Sequence, residues 1–187
     1  IMQLKMNRPM YFQCSFNRRN LIYEVWEGKS KKYKVKDIIN FIRSNYRNKP
    51  GIIYCSTTKD CYEYCTQLNN AAISAAPYHA KLPEPIRNKN QEDWMQDRVQ
   101  IIIATIAFGM GINKADVRFV IHFNISKSIE NYYQESGRAG RDGKPSHCIM
   151  LYNFSDRMKY YNIMISGGNH KITDLQVKSI FEIVKFC

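Results

Sequence analysis

No stretch of this 187-residue chain approaches the ~20 consecutive apolar residues that a membrane-spanning helix needs. The longest candidate, Ile101 to Gly111, is too short and carries Gly109 and Gly111. The first residues, Ile1-Met2-Gln3-Leu4-Lys5, lack the long apolar core of a secretory signal. They also do not begin with Met, so the chain reads as a piece of something longer. No two cysteines form a C-x-x-C pair. Cys61 and Cys65 are four apart, with no histidine beside them to complete a zinc site. Internal repeats are absent. These absences argue against a membrane, secreted or fibrous protein, and no metal is expected within the chain. Acidic residues are scarce as well: Asp plus Glu number 16 against 28 Lys plus Arg.

The resulting net charge of +12 points to a polyanionic partner, nucleic acid first, although a solvated basic surface gives the same count. Hydrophobic residues make up 44% and charged residues 24%, which suits a folded globular chain and excludes wholesale disorder. The length allows one domain, or one domain and part of a second. Cysteines stand at 14, 55, 61, 65, 148 and 187, mostly among apolar or aromatic neighbours. They read as reduced and largely buried, which implies a reducing, intracellular compartment, cytosol or nucleus.

Along the chain, Leu21-Ile22-Tyr23-Glu24-Val25 is a short strand candidate, followed by a basic connector over 27–34. Val35, Ile38, Ile39, Ile42 and Tyr46 recur at helical spacing and predict an amphipathic helix over 35–47. A strand-then-helix alternation follows. Strands are expected at 51–55, 75–78, 99–104, 119–123 and 148–152. Helices are expected at 59–69, 83–97 (with Ile86, Trp94 and Met95 on the apolar side) and 128–137. Pro77 weakens the second of these strands. The alternation predicts an α/β domain on a mainly parallel sheet. From Ser155 the pattern changes to helices over 155–165 and 172–186, the start of another module.

The strongest chemical signal is Gln134-Glu135-Ser136-Gly137-Arg138-Ala139-Gly140-Arg141-Asp142-Gly143. Two arginines three residues apart offer planar, permanently charged forks suited to phosphate oxygens. An arginine reaching a transferring phosphoryl group stabilises the charge that develops there. The plain alternative is a helix C-terminus with Arg138 in solvent and Gly140 as its cap. The whole string after a predicted helix favours the functional reading. It closely resembles motif VI of the RecQ-family DNA helicases. Upstream, Ile103-Ala104-Thr105-Ile106-Ala107-Phe108-Gly109-Met110-Gly111-Ile112-Asn113-Lys114-Ala115-Asp116-Val117-Arg118 and the strand after it resemble motif V. Gly51 to Cys55 with Ser56 resembles motif IV, Tyr78-His79-Ala80 with Leu82 the short histidine motif, and Ser15-Phe16-Asn17-Arg18 with Asn20-Leu21 the element joining the two motor lobes. The resemblance covers about residues 1–160.

The resemblance implies a RecA-like three-layer domain, the second of two lobes that hold ATP between them. It divides the chain into an interlobe linker and first strand over 1–27, the second RecA-like lobe over 28–154, and the truncated start of a helical zinc-binding region over 155–187. The first lobe carries the P-loop and the D-E-x-H magnesium motif, and neither occurs here. Glu27-Gly28-Lys29-Ser30 ends like a P-loop, but Tyr23 stands where the first glycine is needed, so it reads as a connector. The resemblance assigns Arg141 as the arginine finger towards the γ-phosphate, Arg138 as a second phosphate or interlobe contact, and Gln134 to coupling of nucleotide state to lobe closure. Gly109, Gly111 and Asn113 fall in the loop facing nucleotide on one side and DNA on the other. Asn113 stands where Asp is commoner, which puts an acid–base or salt-bridge role there in doubt. Thr105, Ser56 and Thr57 are placed to contact DNA phosphate, with helix capping as the alternative for Ser56 and Thr57 and equally for Thr58. His79 is either a structural histidine or a DNA-backbone contact. Lys81, in place of the usual Gly, adds charge beside the DNA track. His122 and Trp94 read as structural.

The implied function is the C-terminal motor lobe of an ATP-dependent 3′–5′ DNA helicase. ATP and Mg are held mainly by the first lobe, and Zn only downstream; Cys187 alone makes no zinc site. Single-stranded and duplex DNA and the first lobe are the expected partners, with no membrane. The location is nuclear if eukaryotic and otherwise cytoplasmic. Oligomeric state is not legible. The isolated chain is expected to be inactive. Two rivals stand beside this reading: a non-catalytic nucleic-acid-binding module, and a related motor acting on RNA.

Overall fold

Short strand runs such as Ile101–Ala104 and Phe119–His122 are buried along their whole length, which happens only when both faces of a sheet are covered. The computed structural model describes residues 10, 17–27, 31–109, 112–153 and 182–185. Its elements are β1 (Leu21–Glu27), α1 (Lys31–Asn45), β2 (Gly51–Tyr54), α2 (Thr58–Asn70), β3 (Ala75–Tyr78), α3 (Glu84–Met95), β4 (Ile101–Ala104), β5 (Phe119–His122), α4 (Ile129–Ser136) and β6 (Ser146–Tyr152). The six strands form one fully parallel sheet in the order β1-β6-β5-β2-β4-β3.

Alternation along each strand divides the core into two layers. Ile53, Ile101, Ile103, Phe119, Ile121 and Ile149 pack with α1 (Val35, Ile38, Ile42) and α2 (Cys61, Tyr64, Cys65, Leu68). Their neighbours Ile52, Tyr54, Ile102, Ala104, Val120 and Cys148 pack with Trp94 of α3 and with Phe108, Ile112, Val117 and Ala139. A smaller cluster joins Tyr132 of α4 to Ile125, Met150 and Ile183. This is the α/β arrangement on a parallel sheet expected from the alternation of elements, in the three layers that the resemblance implied.

Local chemistry accounts for the helix starts. The Thr57 hydroxyl accepts from the Asp60 amide (3.1 Å) and Ser128 from the Asn131 amide (3.2 Å), so each satisfies an orphan donor of its helix's first turn. Pro85 lies in the first turn of α3, where its missing N–H costs nothing. Pro77 sits on β3, an edge strand, the position where a sheet tolerates proline.

Two expectations need adjustment. Helix α1 starts at Lys31, inside the stretch read as a connector. Ile86 and Met95 are exposed (49% and 37%) while Trp94 is fully buried. Residue 95 lies about 100° round the helix from residue 94, so the two cannot share a face. Of the region after Ser155, only 182–185 is described, as helix, with Ile183 buried; the helix expected at 155–165 lies outside the described residues. Cys55, Cys61, Cys65 and Cys148 are buried free thiols, and burial pushes those of Cys65 and Cys148 up to about 12. Cys14 and Cys187 lie outside the described residues. No helix among the described residues is long and apolar enough to cross a membrane.

Candidate functional site

Helix α4 ends at Ser136, and Gly137 rather than Gly140 is its C-cap. The chain then turns through 137–143, with Gly140 at φ +51°. A Cβ on Gly140 would lie 2.6–2.8 Å from the Asn20 side chain, Ser146 Oγ and the Lys144 carbonyl, so backbone conformation and crowding both require glycine here. The Gly140 amide donates to the Val117 carbonyl (2.8 Å) and the Asp142 amide to the Ala115 carbonyl (3.0 Å). The turn is thereby fastened to the segment before β5. Arg118, at the end of that segment, donates to the Asp142 carboxylate at 2.6 Å, which holds that carboxyl below its usual range.

These bonds set the two arginines against the carbonyls of Gly109 and Ile112. Arg138 is buried (9% exposed) and donates through Nη1 to the Gly109 carbonyl; its Nε is buried without a partner. Arg141 is exposed and donates through Nη1 to the Ile112 carbonyl (2.9 Å). A Cβ on Gly109 would approach Arg138 Nη2 to 2.9 Å, so glycine keeps the loop against the guanidinium. Tyr54 donates to the Phe108 carbonyl (2.8 Å) and braces the same loop from β2. Gly111 lies outside the described residues. Asn113, which is described, is exposed, and Gln134 is exposed on α4.

A second feature opens at the carboxyl ends of β2, β4 and β5. After β4 the chain crosses to the other side of β2, the kind of strand-order switch where open α/β sheets place ligand crevices. A cavity of about 190 Å³ lies there, lined among others by Ser56, Thr105, His122, Asn124, Lys127 and Glu135. It brings Ser56 and Thr105 together. Thr57 instead commits its hydroxyl to Asp60, accepting from the amide and donating to the carboxylate at 2.7 Å. The cap of α2 is therefore Thr57, not Thr58. At the cavity wall His122 Nε2 donates to Glu135 Oε2 (2.8 Å), Ser126 donates to the same oxygen (3.1 Å), and the His122 ring stacks on Tyr54. Glu135 belongs to the arginine string, so this network joins the cavity to α4. Sequence reasoning missed it because the three polar partners lie on a strand, a loop and a helix with no spacing that marks their meeting.

His79 follows β3, outside that cavity lining. It is 2% exposed, both ring nitrogens lack a hydrogen-bond partner, and its ring meets Tyr62 edge-on. Burial, with the nearby Lys81 charge, lowers its pKa below the ordinary imidazole value. Lys81 itself is exposed. Among the described residues no group of three His, Cys, Asp or Glu side chains is arranged to hold a metal ion.

Comparison with known proteins places this geometry. The family profile described as the helicase conserved C-terminal domain matches residues 33–143. The chain is 41% identical over 98% of its length to the ATP-dependent DNA helicase hus2/rqh1 of Schizosaccharomyces pombe, and 43% identical over 99% to the RecQ-like DNA helicase BLM of Xenopus laevis. It spans 14% of the length of each. It is also 42% identical over 94% of its length to the ATP-dependent DNA helicase Q1 of Pongo abelii, of which it spans 26%. In fold it is similar to the DEAD-box protein SrmB of E. coli (TM-score 0.67, 18% identical, 85% of this chain and 95% of that one). It is also similar to a DEAD box protein of Methanococcus jannaschii (TM-score 0.61, 24% identical, 77% and 38%). The RecA-like fold, the matched profile and the near-complete alignment agree: the chain belongs to the helicase conserved C-terminal domain family, on its RecQ-type branch.

Proposed function

We propose that this chain is the second motor lobe of an ATP-dependent RecQ-type helicase that moves 3′ to 5′ on single-stranded DNA and unwinds duplexes. Residues 1–27 are its interlobe linker and first strand, 28–154 the lobe, and 155–187 the beginning of a zinc-binding helical region. The observation that carries the reading is the placement of Arg138 and Arg141 by one tight turn against the Gly109 and Ile112 carbonyls. A buried guanidinium with an unpartnered Nε beside an exposed one suits a phosphate group better than an apolar ligand.

ATP, held with Mg mainly by the first lobe, supplies the phosphoryl group whose transfer to water drives the motor. Arg141 extends into solvent from a fixed turn and stabilises negative charge on the transferring phosphoryl oxygens. Arg138 holds the 109–112 loop and gives a second positive charge at its base. Gly109, Gly111 and Asn113 belong to the motif that faces nucleotide, and Gln134 on α4 senses closure of the lobes. On the other side of the sheet end, Ser56 and Thr105 hydroxyls donate to a DNA phosphate. Lys81 adds a positive charge along the track, and Thr57 serves it through the helix start that it caps. His79, buried beside Lys81, supports the backbone contact. The chain by itself does not turn over ATP, because its sequence holds neither the P-loop nor the D-E-x-H motif. The parent protein is nuclear, as befits a DNA-repair and recombination helicase of a eukaryote, or cytoplasmic in a prokaryote.

The test is single-stranded-DNA-stimulated ATP hydrolysis by the parent protein carrying Arg141→Ala, with nucleotide binding measured alongside. Turnover is expected to fall about a thousandfold or more while ATP still binds. Unchanged turnover would leave the arginine pair structural and make the non-catalytic binding module the better reading. Strand displacement on matched DNA and RNA duplexes separates a DNA motor from an RNA one.

A further inference from the structure

The turn that carries Arg138 and Arg141 is held from a second direction, by residues more than a hundred positions earlier. Arg18 Nη1 donates to the Gly137 carbonyl (2.8 Å); Nη2 donates to the Ala139 carbonyl (2.7 Å) and to that of Gly140. Asn20 Nδ2 donates to the carbonyls of Gly140 (2.8 Å) and Lys144 (2.9 Å). Two backbone bonds anchor the main chain that carries these side chains: the Leu21 amide donates to Arg18 O (3.0 Å), and the Ser146 amide donates to Asn20 O (2.9 Å). One guanidinium therefore collects three carbonyls of a single turn, at the C-terminal end of α4 where helix carbonyls lack partners and a cation is favoured. Only a planar fork spans carbonyls spread in this way. The clamped carbonyls bracket Arg138 and immediately precede Arg141.

We infer that Arg18, with Asn20, is a positioning residue for the arginine finger: it fixes the 137–140 backbone so that Arg141 projects at one angle, and it ties that angle to the segment leading into β1. This rests on the reading of Arg141 as the finger. Plain helix capping would predict a loss of stability alone. Positioning predicts in addition a loss of turnover that vanishes when Arg141 is already gone, because a displacement of about 1 Å at a reacting group can cost about a hundredfold.

The experiment compares Arg18→Ala, Arg18→Lys, Arg141→Ala and the double variant Arg18→Ala/Arg141→Ala in the parent protein. DNA-stimulated kcat, KM for ATP and the melting temperature are measured for each, with rates normalised to the fraction that binds nucleotide. Arg18→Ala is expected to lower kcat about tenfold to a hundredfold with KM within about twofold, and Arg18→Lys to lower kcat less. The double variant is expected to match Arg141→Ala. The inference is overturned if both folded Arg18 variants keep the parent kcat, or if the losses multiply in the double variant. Should the alanine variant not fold, Arg18→Lys decides: kcat at the parent value overturns the inference and a reduced kcat supports it. If Arg141→Ala itself leaves turnover unchanged, the finger reading fails first. If Arg141→Ala collapses turnover while the Arg18 variants are silent, only the positioning role fails.

Discussion

Arg138 and Arg141 stand three residues apart and meet opposite surroundings, one buried under the Gly109 loop and the other at the surface. The motif announced the pair as phosphate-binding chemistry. The split between one buried and one exposed guanidinium came from the left-handed turn at Gly140. His79 is a second case. A histidine motif was readable, but not that both ring nitrogens would be buried without partners. Its pKa in the folded chain lies below the ordinary 6.5, so between those two values the unfolded chain binds more protons than the folded one. Stability is therefore full above about pH 6.5 and is lost as the pH falls from there through the lowered folded value. Thermal melts from pH 8 to pH 5 should show this loss, and His79→Phe should flatten it. An unaltered pH profile in that variant would assign the loss to another group.

At the scale of elements, the order of strands and helices followed from apolar periodicity, caps and proline positions, and each expected element from 21 to 152 is present. The ends shifted by a few residues, as at α1, which starts at Lys31 ahead of its apolar pattern. Helix α3 shows what periodicity misses. Its one buried side chain is Trp94, which donates through Nε1 to the Gly51 carbonyl (3.2 Å) and packs edge-on to Phe108, while Asn90 Nδ2 adds a bond to the Pro77 carbonyl (2.8 Å). Trp94→Ala should cost about 3–5 kcal/mol, read as a shift in the denaturation midpoint, because it opens a cavity and removes the hydrogen bond to Gly51. Met95→Ala next to it, on the exposed side, should cost far less. Equal losses would mean that α3 is not anchored as described.

Across the whole molecule, the +12 net charge and the cluster of polar groups at the strand ends make one prediction. With about three phosphates contacted, affinity for single-stranded DNA should fall about tenfold to twentyfold between roughly 50 and 200 mM salt. Fluorescence anisotropy of the parent protein checks this, and Lys81→Ala should reduce the log–log slope by about 0.7 if Lys81 meets a phosphate. A salt-independent affinity would remove Lys81 and its neighbours from the track. Fold class and the arginine string were legible in the chain, because periodicity and short motifs are local. The partners of those residues were not. Arg18 reaches Ala139 across 121 positions, and His122 meets Glu135 only because β5 and α4 end side by side. Such meetings depend on strand order and on which backbone carbonyls a turn leaves pointing outward. Residue spacing does not encode either, and the packed sheet alone decides both.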